Sequence, residues 1–112
     1  MELKGKLNIK PLSVNEAWKG KRYKTDKYKR FEIECLLTLK PSKIPEPPFE
    51  IVLVFGMSNI LSDFDNPVKP FVDILQKKYG FNDRDIFKAT IEKVKTAKGE
   101  EFISFELKTI ES

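Results

Sequence analysis

Apolar and polar positions begin to alternate near the start of the chain. Leu3, Leu7 and Ile9 stand among polar neighbours over positions 2–10, which predicts a strand with one buried face. Pro11-Leu12-Ser13-Val14-Asn15 breaks that pattern, and a basic loop continues to Thr25. The period then changes: Tyr28, Phe31, Cys35 and Leu39 recur at helical spacing, with Thr25 or Asp26 placed to cap the helix. Lys40-Pro41 through Pro48 is proline-rich and reads as a connector. Phe49-Glu50-Ile51-Val52-Leu53-Val54-Phe55 is nearly all apolar, the pattern of a central strand covered on both faces. A second helix is predicted from Pro67 to Tyr79, with Val68, Val72, Leu75 and Tyr79 as its apolar stripe. Asn66 is placed as its N-cap, Pro67 at its first position and Gly80 as its C-terminal cap. Pro70 removes one first-turn hydrogen bond, a modest flaw so near the end. Phe87, Ala89 and Ile91 alternate in a further strand, and Ile103, Phe105 and Leu107 alternate on the strand returning from the turn Ala97-Lys98-Gly99. The sum is β-α-β-α-β-β, a single α+β domain over residues 1–112 with a four-stranded mixed sheet and two helices.

Composition narrows the chemistry. A chain of 112 residues with 40% hydrophobic content has enough apolar mass for a core, though not a deep one. The net charge of +4 favours a polyanionic partner. Much of the excess lies in one stretch, where Lys19, Lys21, Arg22, Lys24, Lys27, Lys29 and Arg30 face only Asp26. Such a run is often a solvated face. Interleaving with Trp18, Tyr23 and Tyr28 points instead to nucleic acid, because cations meet phosphates while rings pack on sugars or bases. With no histidine and a single cysteine, Cys35, the chain has no Ser-His-Asp or Cys-His triad, no internal disulfide and no cysteine-based zinc site. Cys35, among apolar neighbours, reads as a small core residue. There is no Gly-rich phosphate loop, so catalysis would run on carboxylates, lysine, metal and water. Neither a signal peptide nor a membrane-length apolar run is visible, and a cytoplasmic location is expected.

The chemistry-bearing segments are Ser62-Asp63-Phe64-Asp65-Asn66-Pro67-Val68-Lys69 and Asn82-Asp83-Arg84-Asp85. Asp63 and Asp65 are two residues apart, so in an extended segment they project to the same side. Lys69 falls in the first turn of the predicted helix, where a cation opposes the helix dipole. Acids able to converge beside one lysine form a constellation for divalent metal and phosphate. The plainer alternative is a capping loop whose acidic pair is merely solvated.

Asp63-Phe64-Asp65-Asn66, Lys69, Asp73, then Gly80-Phe81-Asn82-Asp83 and Ile86, resemble the core signature of the RusA family of Holliday junction resolvases, small endodeoxyribonucleases often carried by phages and prophages. The N-terminal Pro11-x-Ser13-x-Asn15 followed by a basic Lys/Arg/Tyr segment is also similar, as are Lys93 and the Lys98-Gly99 turn. The likeness spans most of the chain. It departs at Ser62, where relatives often carry Arg or Lys, and in the later acids, where Asp83 aligns with the family's third carboxylate and Asp85 is the alternative.

The resemblance implies a homodimer that binds a four-way DNA junction and nicks two strands symmetrically with Mg²⁺ or Mn²⁺. Asp63, Asp65 and Asp83 would hold the metal, and Lys69 would complete the catalytic set. Asp73, one turn after Lys69, would orient its ammonium. Asn15, Lys19, Lys21, Arg22, Lys24, Lys93 and Lys98 would contact DNA. Leu61, Phe64 and the Pro45–Pro48 connector offer apolar surface for a dimer contact. Two other readings stand beside it: a nuclease acting on forks or flaps, and a non-catalytic nucleic-acid-binding protein.

Overall fold

The computed structural model describes residues 2–13, 18–19, 23–59 and 65–111. Its main sheet contains β1 (Glu2–Leu7), β4 (Phe49–Met57), β5 (Ile86–Lys95) and β6 (Phe102–Thr109), in the order β1-β6-β4-β5. Two short strands, β2 (Trp18–Lys19) and β3 (Tyr23–Lys24), pair antiparallel within the segment expected to be a basic loop. The helices are α1 (Asp26–Thr38) and α2 (Val68–Tyr79), so the expected α+β domain with a four-stranded mixed sheet and two helices is what forms. The sheet is mixed because β4 pairs antiparallel with β6 but parallel with β5. Parallel neighbours need a crossover, and α2 supplies it.

Thr25, rather than Asp26, caps α1: its hydroxyl accepts the Tyr28 N–H at 3.1 Å. The entry to α2 differs from the expected Asn66 cap. The Val68 N–H donates to the Asp65 carbonyl at 3.1 Å, and Pro67, already near helical geometry at φ −84° and ψ −4°, stands in the capping position without a side-chain cap bond. The proline ring brings the chain into the helix early, so backbone rather than the Asn66 amide closes the first turn. At the other end Gly80, at φ +75°, takes the left-handed conformation that releases the chain towards β5.

Leu3, Leu7, Phe49, Ile51, Leu53, Phe55, Ile103, Phe105 and Leu107 form the sheet's inner face, on which Tyr28, Phe31 and Cys35 of α1 and Phe71, Val72, Ile74 and Leu75 of α2 are buried. The apolar stripe expected on α2 is shifted. Phe71 and Ile74 lie deepest, while Val68 and Tyr79 are only partly buried. The cause is that α2 meets both the sheet and α1. Lys77 donates to Glu32 at 2.9 Å and Lys78 to the Leu36 carbonyl at 3.2 Å, so the flank facing α1 is covered as well.

The expectation that β4 is covered on both faces is corrected. It is central, but Glu50, Val52 and Val54 are only half-buried on the outer face. Their surroundings are charged: Glu50 lies 3.7 Å from Lys88 and 3.9 Å from Lys108, and Lys108 lies 3.3 Å from Glu106. Long lysine stems lie along apolar surface while their charges stay in water, so a valine-rich strand tolerates this exposure. Among the described residues, no helix is long and apolar enough to cross a membrane.

Candidate functional site

On α2, Lys69, Asp73 and Gln76 are spaced four and three residues apart and therefore stack along one side of the helix, Lys69 exposed and the other two half-buried. Lys69 Nζ lies 3.6 Å from Asp73 Oδ1. Gln76 Nε2 donates to the same carboxylate oxygen at 3.5 Å and to the Val72 carbonyl at 3.3 Å. The Gln76 Oε1 accepts the backbone N–H of Asp83 at 2.9 Å. A line of polar contacts thus runs from Lys69 through Asp73 and Gln76 to the loop that carries Asp83.

That loop is a single 3₁₀ turn, Asp83–Asp85, capped by the Asn82 side chain, which accepts the Arg84 N–H at 3.0 Å. It folds back beside α2. Lys69, Asp73 and Asp83 consequently line one groove of about 320 Å³, floored by Ile51, Leu53, Val68, Val72, Ile86 and Ala89. Asp85 does not line it. A cavity of about 440 Å³ between β1, Tyr79 and the start of the α1–β4 connection contains none of the candidate residues.

Asp65 is exposed at the entry to α2, and among the described residues its carboxylate has no hydrogen-bond or ion-pair partner. It does not serve as a helix cap. The 12 residues of α2, about 18 Å of helix, separate Asp65 from the segment leading to Asp83. Among the described residues no three Asp, Glu, Cys or His side chains gather closely enough to hold a metal ion. Asp63, Asn15, Lys21 and Arg22, together with Leu61 and Phe64, lie outside the described residues.

The remaining DNA-contact candidates scatter. Lys19 lies in β2, Lys93 pairs in register with Phe55, and Lys98 lies in the exposed turn before β6. Lys24 is held inward: its ammonium sits 3.1 Å from Glu32 and 4.8 Å from the centre of the Tyr28 ring. Glu32 therefore bridges Lys24 and Lys77. Burial pushes its carboxyl up, but the hydrogen bonds from Lys77 and Lys24 prevail and hold it below the usual range. The Tyr28 phenol is pushed up to about 12 by burial and then by the charges of Asp73 and Glu32. Burial, with Glu34 nearby, pushes the Cys35 thiol up to about 12, so it stays protonated and is no nucleophile.

Gln76 is the site residue that sequence reasoning missed. Its signal was position alone, three residues after Asp73 and on the same side of the helix as Lys69. Gln76→Leu keeps the volume and removes both ends of the bridge. Exchange of the Asp83 amide proton is expected to rise about fivefold, the equivalent of one hydrogen bond of about 1 kcal/mol, with little change in global stability. Unchanged exchange would mean that the 3₁₀ turn holds Asp83 without Gln76.

The chain matches no protein-family model, and no curated protein matches it.

Proposed function

We propose that the chain is a RusA-like, metal-dependent endodeoxyribonuclease that nicks branched DNA, the four-way junction first among its substrates, and that it works as a homodimer. One observation carries the reading: a lysine in the first turn of α2 shares a groove with Asp73 and Asp83 and is tied to Asp73. Helix stability does not account for that lysine. It opposes the dipole, and a lysine placed before its acid at this spacing is the weaker orientation of such a pair.

The available donors suit the cation. Asp63, Asp65 and Asp83 offer only carboxylate oxygens, the hard ligands that Mg²⁺ or Mn²⁺ takes. The length of α2 lies between Asp65 and Asp83, so within one chain these two do not close on a single ion, and Asp63 with Asp65 would hold it. When bound, such a cation lowers the pKa of a coordinated water and polarises a phosphate. The protein's own part is positioning and charge. Lys69, with its side chain 64% exposed, presents a compact positive charge to a phosphate oxygen, while Asp73 limits where that charge points. Gln76 fixes Asp73 from the opposite side and holds the Asp83 loop in place. The net charge of +4 supplies the long-range attraction for DNA.

The test is cleavage of a four-way junction, a fork and a linear duplex, each with Mg²⁺ and with EDTA. Paired nicks in the junction that require Mg²⁺ are expected. Cleavage confined to the fork would move the substrate, and binding without cleavage of any of the three would leave a nucleic-acid-binding protein.

A further inference from the structure

The terminal strand of the sheet, β5, is ten residues long and pairs only with β4, so no described strand covers its outer edge. Its apolar alternation is covered only in part, Ile91 alone packing against the core. Phe87 is 71% exposed, Ala89 is exposed and Ile91 is half-buried. A long edge with uncovered apolar side chains is a template for another strand. The order of residues along β5 indicates which strand.

We propose that two copies of the chain associate by antiparallel pairing of β5 with β5 across a two-fold axis through Thr90. In this register Thr90 faces itself and Lys88 faces Glu92 of the partner subunit, with the reciprocal pair on the other side of the axis. Ala89 faces Ile91 of the partner subunit, Phe87 faces Lys93 of the partner subunit, and Ile86 faces Val94 of the partner subunit. Directly opposed residues are the unit of sheet stabilisation, and here opposite charges meet, apolar side chains meet, and a ring meets a cation. Neighbouring symmetric registers lose this match. Centring on Ala89 sets Ile86 against Glu92 and Lys88 against Thr90, centring on Ile91 sets Lys88 against Val94, and centring on Lys88 or Glu92 sets like charges together.

An axis perpendicular to the sheet leaves both copies facing the same way. The helices of both subunits then lie on one side of a continuous sheet. Ala89, which floors the groove of Lys69, Asp73 and Asp83, sits beside the shared strand pair. Both grooves therefore face one side, the arrangement that paired nicking of a two-fold substrate requires. This consequence rests on the nuclease reading, whereas the interface rests on the strand itself.

Light scattering of the whole chain at micromolar concentration is expected to give twice the chain mass of 13.0 kDa. Glu92→Lys and Lys88→Glu should each weaken association about tenfold or more, because both symmetric pairs become repulsive. The double swap Lys88→Glu with Glu92→Lys should restore it. Thr90→Cys should oxidise to a covalent dimer, since opposed residues on paired strands fall within disulfide reach, whereas Lys95→Cys, at the far end of β5, should not. Cys35 is fully buried and leaves that readout clear. A monomer, or a dimer that ignores both charge reversals and does not cross-link through position 90, overturns the proposal. Metal-dependent cleavage by such a protein would leave the nuclease reading standing, while a β5-paired dimer without cleavage would remove that reading alone.

Discussion

Asp65→Asn is expected to bind a four-way junction at least as tightly as the parent and to cleave it more than about 100-fold more slowly in Mg²⁺, since even outer-shell partners of a metal cost 10–100-fold. The substitution keeps the side-chain volume and removes one unit of charge from a position that faces solvent. Asp65 makes no cap bond and no ion pair with a described residue, so no contact among the described residues is lost when its charge is removed. Loss of a negative charge near DNA phosphate favours binding, and loss of a metal ligand blocks chemistry. The two readouts should therefore move in opposite directions, which a merely structural role cannot produce. Gel-shift affinity and single-turnover cleavage, measured on the same preparation, check this. Cleavage at the parental rate would remove Asp65 from the catalytic set.

Phe71→Ala is expected to cost about 3–5 kcal/mol of folding stability. Phe71 is fully buried, meets Phe55 edge-on at 6.4 Å between ring centres, and leans against Phe105 at 5.8 Å. It is the point at which α2 is pinned to both β4 and β6. Truncation removes buried apolar area, leaves a cavity that two other rings cannot fill, and forfeits the aromatic contacts. Small domains have about 5–15 kcal/mol in total, so the variant should sit near the edge of folding. Leu37→Ala provides the contrast. Leu37 is 82% exposed on α1, and its truncation should change stability by less than about 0.5 kcal/mol. Urea titrations of both variants check the pair, and a loss below about 1.5 kcal/mol for Phe71→Ala would mean that the core repacks around the gap.

The elements of the main sheet and both helices could be read from the chain because each strand alternates or runs apolar and each helix has a cap or a stop in the right place. Thr25 and Gly80 act as expected for those residue types. What the pattern could not convey was what covers each apolar face. The Val52 and Val54 side of β4 looked like core, yet it lies among charged neighbours, and of the alternating Phe87, Ala89 and Ile91 only Ile91 packs against the core, while Phe87 and Ala89 are exposed. Phe71 and Ile74 were missed as the deepest positions of α2 because a helix wedged between a sheet and another helix is covered over a wider arc than one stripe. At the candidate site, the spacing of Lys69 and Asp73 foretold their contact, and Asp83 lines the same groove. Gln76 did not announce itself, since a neutral amide on a helix usually faces solvent and its value here depends on a loop seven residues away folding back onto it.

The strand order also constrains how the molecule is made. β1 pairs with β6 alone, and β4 gains its antiparallel partner only from β6. As the polypeptide grows, β1 waits without a partner while nearly a hundred further residues are added, and what can assemble in the meantime is the β4-α2-β5 unit. Contacts this distant in sequence close slowly, because the loop entropy is lost before the pairing compensates for it. Addition of Phe102–Thr109 completes the sheet in one step, inserting a strand between two waiting edges and shutting both away from other chains.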